Sequence, residues 1–196
     1  MRHVPVVIVG GGPVGMVLAM SLAGFNIRTM LVNTESSSRW FPKGSTHNAR
    51  TMEHYRRLGL ARELRKLGLP ADHPTDVGFF TTLNGWELGR ISMPSEREKL
   101  ASLANASPTD QIPEPLFRCN QMYVEAQLLK HIQTLDMIES RFGWRCIEII
   151  DGHERTAVVI ENMETGRRED RQPHTLGLLF KQKALLGRMQ PFDVDR

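Results

Sequence analysis

The chain opens with an uncharged apolar run that ends at a cluster of glycines. Residues 4–9 are rich in β-branched side chains, which is typical of a strand buried on both faces of a parallel sheet. Residues 13–23 are small or good helix formers and carry no charge, so they predict a largely buried helix with Gly24 as its C-terminal cap. Residues 27–32 predict a second strand. Strand, helix and strand at this spacing predict a right-handed βαβ crossover.

Further along the chain, turn-rich segments alternate with shorter periodic ones. Residues 33–47 and 92–115 predict loops. Residues 78–91 predict a β-hairpin, because Asn84-Gly85 readily adopts the positive φ angles of a type I′ turn. Helices are predicted at 49–58, 61–67 and 121–134. Strands are predicted at 144–150 and 156–162, with a turn at 164–166 towards a third strand.

Three glycines form a GxGxxG motif between the first predicted strand and the first helix. Gly10 permits a tight turn, Gly12 leaves room for a pyrophosphate, and Gly15 lets the helix pack closely on the strand. Pro13 then begins the helix, whose unpaired N–H groups and positive end attract phosphate. At this position the motif predicts a dinucleotide site. A glycine-rich turn without a ligand is the alternative interpretation.

The residue that usually contacts the ribose departs from the common pattern. An acidic side chain is expected about 20 residues after the glycines, directly after the second strand. Asn33 occupies that position, and Glu35 lies two residues further on. Either side chain can hydrogen-bond a ribose hydroxyl, and the register favours Asn33.

Composition and charge exclude several other classes of protein. The chain has 196 residues, of which 40% are hydrophobic, and this is enough to bury a core. The net charge of +3 comes from residues 166–196, which hold seven Lys or Arg and four Asp or Glu; upstream the two signs balance at 18 each. No basic stripe with interleaved aromatics indicates a nucleic-acid partner. No segment predicts a membrane span or a signal peptide, so we expect a cytoplasmic protein.

Cysteines and histidines form no catalytic or metal-binding pattern. Cys119 and Cys146 lack the paired spacing of zinc or redox motifs and are expected to be buried free thiols. His47, His54 and His131 are single histidines on a predicted loop or helices. We therefore nominate no catalytic residue and no metal site.

The segment after the second predicted strand resembles a known enzyme family. PKGSTHNARTMEHYRRLGL is similar to the same region of the class A flavin monooxygenases, the relatives of phenol hydroxylase and para-hydroxybenzoate hydroxylase. In that family a basic residue of this loop lies over the FAD pyrophosphate, and an arginine-bearing helix packs nearby. The resemblance assigns these roles to Lys43 and Arg50. A solvated loop charge and a helix-surface charge are the alternative interpretations.

A third block, RCNQMYVEAQLL, resembles the family helix whose opening Gln contacts the ribityl chain of the flavin. The resemblance gives this role to Gln121 and places the preceding Arg118 close to the cofactor. Taken alone, Gln121 is an ordinary residue at a helix N-terminus. The glycine motif does not separate FAD from NAD, but the three blocks in family order imply FAD.

The resemblance implies an α/β fold with a Rossmann-like FAD-binding βαβ unit, a parallel sheet and a small β-hairpin or meander. We expect residues 1–170 to form an incomplete FAD-binding domain. Family members continue with a Gly-Asp-Gly type motif whose Asp binds the ribityl hydroxyls, and this sequence has no such motif. Residues 171–196 are therefore expected to be an off-pattern tail of a truncated or mis-spliced product, with a divergent native helix as the alternative.

The family reduces FAD with NAD(P)H and passes one oxygen atom of O2 to an aromatic ring. The resemblance thus implies a monooxygenase for a small phenolic substrate. Because the substrate-binding sheet is also unmatched, we expect no hydroxylation by this chain alone. The alternatives are a flavin-binding or interaction remnant without turnover and an NAD-dependent dehydrogenase, which would leave the second and third blocks unexplained. The sequence does not define the oligomeric state.

Overall fold

The computed structural model describes residues 2–38, 40, 41, 43–103, 105, 114–151 and 156–178. Its strands are β1 (Arg2–Val9), β2 (Thr29–Asn33), β3 (Thr46–His47), β4 (Val77–Phe80), β5 (Glu87–Ile91), β6 (Phe117–Arg118), β7 (Ile138–Phe142), β8 (Trp144–Asp151), β9 (Thr156–Asn162) and β10 (Arg168–Leu178). Its helices are α1 (Pro13–Gly24), α2 (Ala49–Arg57), α3 (Ala61–Arg65), α4 (Glu96–Leu103) and α5 (Gln121–Ile132). Of these described helices, none is long and apolar enough to cross a membrane.

The chain divides into two compact units, which are described separately. Unit one comprises Met1–Trp40 and Glu125–Arg196, and unit two comprises Phe41–Val124.

Unit one contains a six-stranded sheet in the order β7-β2-β1-β10-β9-β8. β1 pairs in parallel with β2 on one side and with β10 on the other, and β2 pairs in parallel with β7. β9 runs antiparallel to both β10 and β8. The predicted parallel pairing of the first two strands is confirmed, as is the α/β class. The sheet combines a parallel half with an antiparallel meander.

The core of unit one comes from uncharged side chains of four strands. They form one hydrophobic cluster: Val4, Val7, Val9, Met30, Val32, Trp144, Cys146, Val158 and Ile160. α1 packs on the sheet and buries Met16, Ala19 and Met20. Fully burying an aliphatic side chain contributes on the order of 1.5–3 kcal/mol, so this cluster fixes the strands from which the glycine turn projects.

Three details of unit one differ from the sequence prediction. β7 lies where no element is predicted, because it is an edge strand with the polar sequence Ile-Glu-Ser-Arg-Phe and pairs only with β2. The residue with positive φ after α1 is Asn26, at 58°, rather than Gly24, which is the last residue of the helix. The boundary predicted after residue 170 falls inside β10, whose residues 171–178 pair with β1. The rest of the predicted tail, 179–196, lies outside the described residues.

Unit two contains short helices, a hairpin and a two-residue ladder. The predicted α2 begins after Asn48, whose side-chain oxygen accepts a hydrogen bond from a first-turn N–H at 2.9 Å. β3 and β6 pair antiparallel, with Thr46 opposite Arg118 and His47 opposite Phe117. The segment predicted as an exposed loop therefore ends in a strand whose first residue pairs with a residue 72 positions away. A local sequence pattern does not reveal a separation of this length.

β4 and β5 form the predicted hairpin, but its turn is not type I′. Neither Asn84 nor Gly85 has positive φ. Instead, the Thr81 N–H donates to the Trp86 carbonyl at 3.0 Å and closes a longer loop, in which positive φ is not required. The hairpin carries large exposed apolar side chains: Val77, Phe79, Phe80, Leu83, Trp86, Leu88 and Ile91.

α4 lies within the segment predicted as a loop. Its N-terminus is a capping box, in which the Ser95 N–H donates to Glu98 Oε2 at 2.8 Å and the Glu98 N–H donates to Ser95 Oγ at 3.3 Å. None of its described residues is buried, so it has no apolar period to detect. The sequence Ser-Glu-Arg-Glu at residues 95–98 is the pattern that could have predicted the start of this helix.

Candidate functional site

The glycine turn joins the end of β1 to the start of α1. Gly10 has φ 122°, a left-handed conformation that favours glycine, and its N–H donates to the Val32 carbonyl at 2.9 Å. A Cβ atom on Gly15 would lie only 1.9 Å from the Gly10 carbonyl oxygen. A Cβ on Gly12 would meet nothing within 4 Å. The three glycines thus supply a bend, an open approach and a close helix contact.

The N-terminus of α1 is suited to an anion. Gly12 is the N-cap residue, and within the described chain no side chain caps this end of the helix. Pro13 occupies the first turn, which contains no acidic residue. The first-turn N–H groups and the positive end of the helix dipole are therefore available to a negatively charged ligand.

Asn33 lies at the end of β2 and ties the glycine turn to that strand. Its Oδ1 accepts a hydrogen bond from the Gly11 N–H at 3.2 Å, and its Nδ2 donates to the Glu35 carbonyl at 3.2 Å. A Cβ on Gly11 would lie 2.7 Å from the Asn33 Cβ and 2.8 Å from a ring carbon of Phe142. Gly11 is thus a site residue that the motif spacing did not select. The Glu35 side chain is exposed.

Lys43 and Arg50 both lie on the surface of unit two. Lys43 is exposed, just before β3. Arg50 is in the first turn of α2, and its Nη1 lies 2.6 Å from Glu53 Oε2 in an exposed ion pair. This pair agrees with a helix-surface charge, one of the two interpretations of Arg50.

Unit two brings the second and third sequence blocks together. Arg118 is half-buried, and its Nη1 and Nη2 donate to Thr46 Oγ1 at 2.5 Å and to the Thr75 carbonyl at 3.1 Å. The Gln121 N–H donates to the Gly44 carbonyl at 2.8 Å. We call residues 44–47 and 117–121 the β3–β6 junction. Gln121 lies at the start of α5, as predicted. Its hydrogen-bond partner Gly44 is the residue that follows Lys43.

His47 is buried inside this junction, with 7% of its surface exposed. Its ring centroid lies 5.6 Å from that of Phe117 and 6.0 Å from that of Tyr55. Burial lowers the pKa of His47, and a hydrogen bond with the Cys119 backbone partly opposes this shift. The sequence treats His47 as an isolated loop histidine; only the tertiary structure gives it these neighbours.

Both cysteines are buried free thiols, as predicted. Burial raises the pKa of the Cys146 thiol to about 11 and also raises that of Cys119. Both side chains therefore stay protonated at neutral pH, which makes them poor nucleophiles.

Comparison with protein families matches residues 3–173 to a FAD binding domain. Among curated proteins, the chain is 32% identical to FAD-dependent monooxygenase apdD of Emericella nidulans, over 71% of this chain and 23% of that protein. It is 33% identical to 2,4-dichlorophenol 6-monooxygenase of Cupriavidus pinatubonensis, over 78% of this chain and 24% of that enzyme. The chain therefore spans about a quarter of the length of these relatives.

Solved structures show the same likeness. The flavin-dependent monooxygenase PieE, in complex with FAD and substrate, aligns with 89% of this chain and 30% of its own at 26% identity and a TM-score of 0.74. A RebC structure described as native and K252c-bound aligns with 95% of this chain and 34% of its own at 28% identity and a TM-score of 0.76.

Proposed function

Because the chain belongs to the FAD binding domain family, we propose that it binds FAD as the cofactor-binding portion of an aromatic hydroxylase. The observation that carries the proposal is the open space beside Gly12 at the N-terminus of α1. Backbone N–H groups and the helix dipole stabilise the negative pyrophosphate there, and the absent side chain lets its oxygens approach the backbone. Gly10 and Pro13 set the path of the chain around this point, and Gly15 keeps the helix close.

Asn33 and Glu35 are the proposed residues for the ribose. Because both polar atoms of the Asn33 amide already hydrogen-bond the backbone, its first role is to hold the turn in shape. Its Oδ1 has a second lone pair that can accept a hydrogen bond from a ribose hydroxyl. Glu35 supplies the carboxylate that Asn33 lacks.

Four further cofactor contacts are proposed in unit two. Lys43, Arg50 and Arg118 are cations that would offset the charge of the pyrophosphate. Gln121 carries an amide that would hydrogen-bond a hydroxyl of the ribityl chain. Two hydrogen bonds hold the guanidinium of Arg118 in place.

The names of the relatives support a phenolic or related aromatic substrate. In such enzymes bound FAD supplies the redox chemistry, and we propose NAD(P)H as the electron donor. The residues of this chain would bind and orient the cofactor. FAD binding and hydroxylation by this chain are tested by two different assays.

FAD binding is tested by titration, followed by the visible absorbance and fluorescence of the flavin. We expect one FAD per chain for the wild type and none for Gly12→Val, with unchanged unfolding temperatures, because the valine fills space that is empty in the protein. Gly24→Val, at the other end of α1, is the matched control, since a Cβ there also meets nothing within 4 Å. Full flavin binding by Gly12→Val would contradict the proposed pyrophosphate site.

Turnover is tested by supplying FAD, NADH or NADPH and a panel of phenols, and measuring hydroxylated product and hydrogen peroxide. Hydrogen peroxide without coupled product would limit the proposal to FAD binding. Coupled product at ordinary enzyme rates would instead extend the proposal from binding to catalysis.

A further inference from the structure

The β3–β6 junction encloses a histidine whose hydrogen bonding is incomplete. One ring nitrogen of His47 bonds the Cys119 backbone, while Nε2 is buried and has no partner among the described residues. A neutral imidazole leaves one lone pair unpaired in this position. An imidazolium would leave a buried N–H and a positive charge unpaired, which is far more costly.

Within the described segments, no carboxylate forms a hydrogen bond or an ion pair with His47. Tyr55 from α2 and Phe117 from β6 flank the ring, and the backbone of Cys119 hydrogen-bonds one ring nitrogen. The acidic groups of the neighbouring segments, Glu53 on α2 and Glu114 before β6, are each paired with an arginine. Arg118 is bound to Thr46 and Thr75, and the guanidinium of Arg65 lies 5.7 Å from the Phe117 ring centroid.

The backbone pairing between the two segments of the junction is short. The ladder has two residue pairs, and two flanking hydrogen bonds extend it: the Cys119 N–H donates to Ser45 and the Gln121 N–H to Gly44, at 2.9 and 2.8 Å. A two-stranded ladder this short depends on side chains packed against its face. His47 is one of them and is buried beside Phe117 and Tyr55.

We propose that His47 is a positioning residue that works only when neutral, and that its protonation opens the β3–β6 junction and separates the Lys43 and Gln121 segments. The effect on flavin rests on the proposed function, in which both segments contact FAD. The opening of the junction does not depend on the proposed function.

The sign of the pH dependence follows from the burial of His47. Its pKa in the folded protein is lower than in the open state, so the closed junction is fully favoured above the ordinary histidine value of about 6.5. As the pH falls below that value, the open state binds one more proton than the closed state. The opening constant then rises by up to about tenfold for each pH unit, until the pH reaches the lowered pKa of His47 in the closed junction.

The experiment measures amide hydrogen exchange of the full chain without FAD at pH 7.5 and 5.5, corrected for the intrinsic exchange rate. We expect the protection of the Cys119 and Gln121 amides to fall at the lower pH, by up to about tenfold. The Thr29 amide, which donates to Met137 in unit one, is the internal reference and should not change. FAD affinity, measured at the same two pH values, should fall in parallel.

His47→Phe should remove the pH dependence, and His54→Gln, an exposed histidine on α2, should preserve it. His47→Gln is the second variant if the phenylalanine does not fold. A pH dependence that persists in a folded His47 variant, or equal protection of both amides at the two pH values in the wild type, would overturn the proposal. Absence of FAD binding at pH 7.5 with the exchange result intact would refute the proposed function alone.

Discussion

The two regions that carry the proposed cofactor residues are built in different ways. The glycine turn of unit one works through its backbone: the space beside Gly12 and the close approach of Gly15 to Gly10 require side chains to be absent. The β3–β6 junction of unit two works through side chains. Arg118 reaches Thr46 and Thr75, and His47 fills the interior.

This difference determines how each region should respond to mutation. In the turn, added atoms are harmful and the effect depends on which glycine receives them. In the junction, removed atoms are harmful, because Arg118 contributes two side-chain hydrogen bonds and His47 contributes one. The turn should therefore show large, all-or-none effects and the junction smaller, graded ones.

The largest effect is expected for Gly15→Ala. A single Cβ would lie 1.9 Å from the Gly10 carbonyl oxygen, so α1 must move away from the strand that it packs on. We expect a loss of at least about 3 kcal/mol in the free energy of unfolding, measured with urea. Gly24→Ala in the same helix is the control and should change stability by less than about 1 kcal/mol. Equal stability of the two variants would mean that Gly15 is not a contact point.

The turn was predictable from sequence because its geometry is local. Gly10, Gly12 and Gly15 lie within one strand-turn-helix segment. Their spacing predicts both the open space beside Gly12 and the close packing of the helix at Gly15. The hydrogen bond from Gly11 to Asn33 spans 22 residues and was not predictable, since no periodicity pairs a glycine with a distant amide.

The junction was predictable only in part. Family resemblance selected Lys43, Arg118 and Gln121. The hydrogen bonds from Arg118 to Thr46 and from Gln121 to Gly44 join segments more than 70 residues apart. The burial of His47 depends on that long-range pairing. The sequence alone therefore identifies it only as a single histidine on a predicted loop. β7 was missed for a related reason, because an edge strand with polar residues lacks the apolar run that identifies the central strands.

Arg118→Ala should have the largest effect in the junction. It removes two hydrogen bonds of a half-buried guanidinium, and we expect a loss of about 1–2 kcal/mol in unfolding free energy together with weaker FAD binding. Arg97→Ala removes a cation whose ion pair with Asp72 is exposed, at 3.4 Å, and should cost less than about 0.5 kcal/mol. A similar loss in both variants would show that the Arg118 contacts do not hold the junction.

Asn33→Ala and Asn33→Asp distinguish holding the turn from binding the ribose. Alanine loses both hydrogen bonds of the amide, whereas aspartate keeps the acceptor for the Gly11 N–H. We expect alanine to weaken FAD binding about fivefold, equivalent to the net value of about one hydrogen bond. Aspartate should bind FAD at least as well as the wild type, and binding as weak as that of alanine would show that the donated hydrogen bond to Glu35 is the essential one.

Arg50→Ala should have the smallest effect and decides between the two interpretations of this residue. The ion pair with Glu53 is exposed and within one helix, so its loss should change the unfolding free energy by less than about 0.5 kcal/mol. A contribution to FAD binding through charge should appear as a two- to threefold weaker affinity that disappears at high salt, because salt screens exposed charges. Arg57→Ala, which removes an exposed cation from the last turn of α2, controls for the change in net charge. If both variants bind FAD equally well at low salt, Arg50 is a helix-surface charge, and the side-chain contacts of unit two are limited to the junction and Lys43.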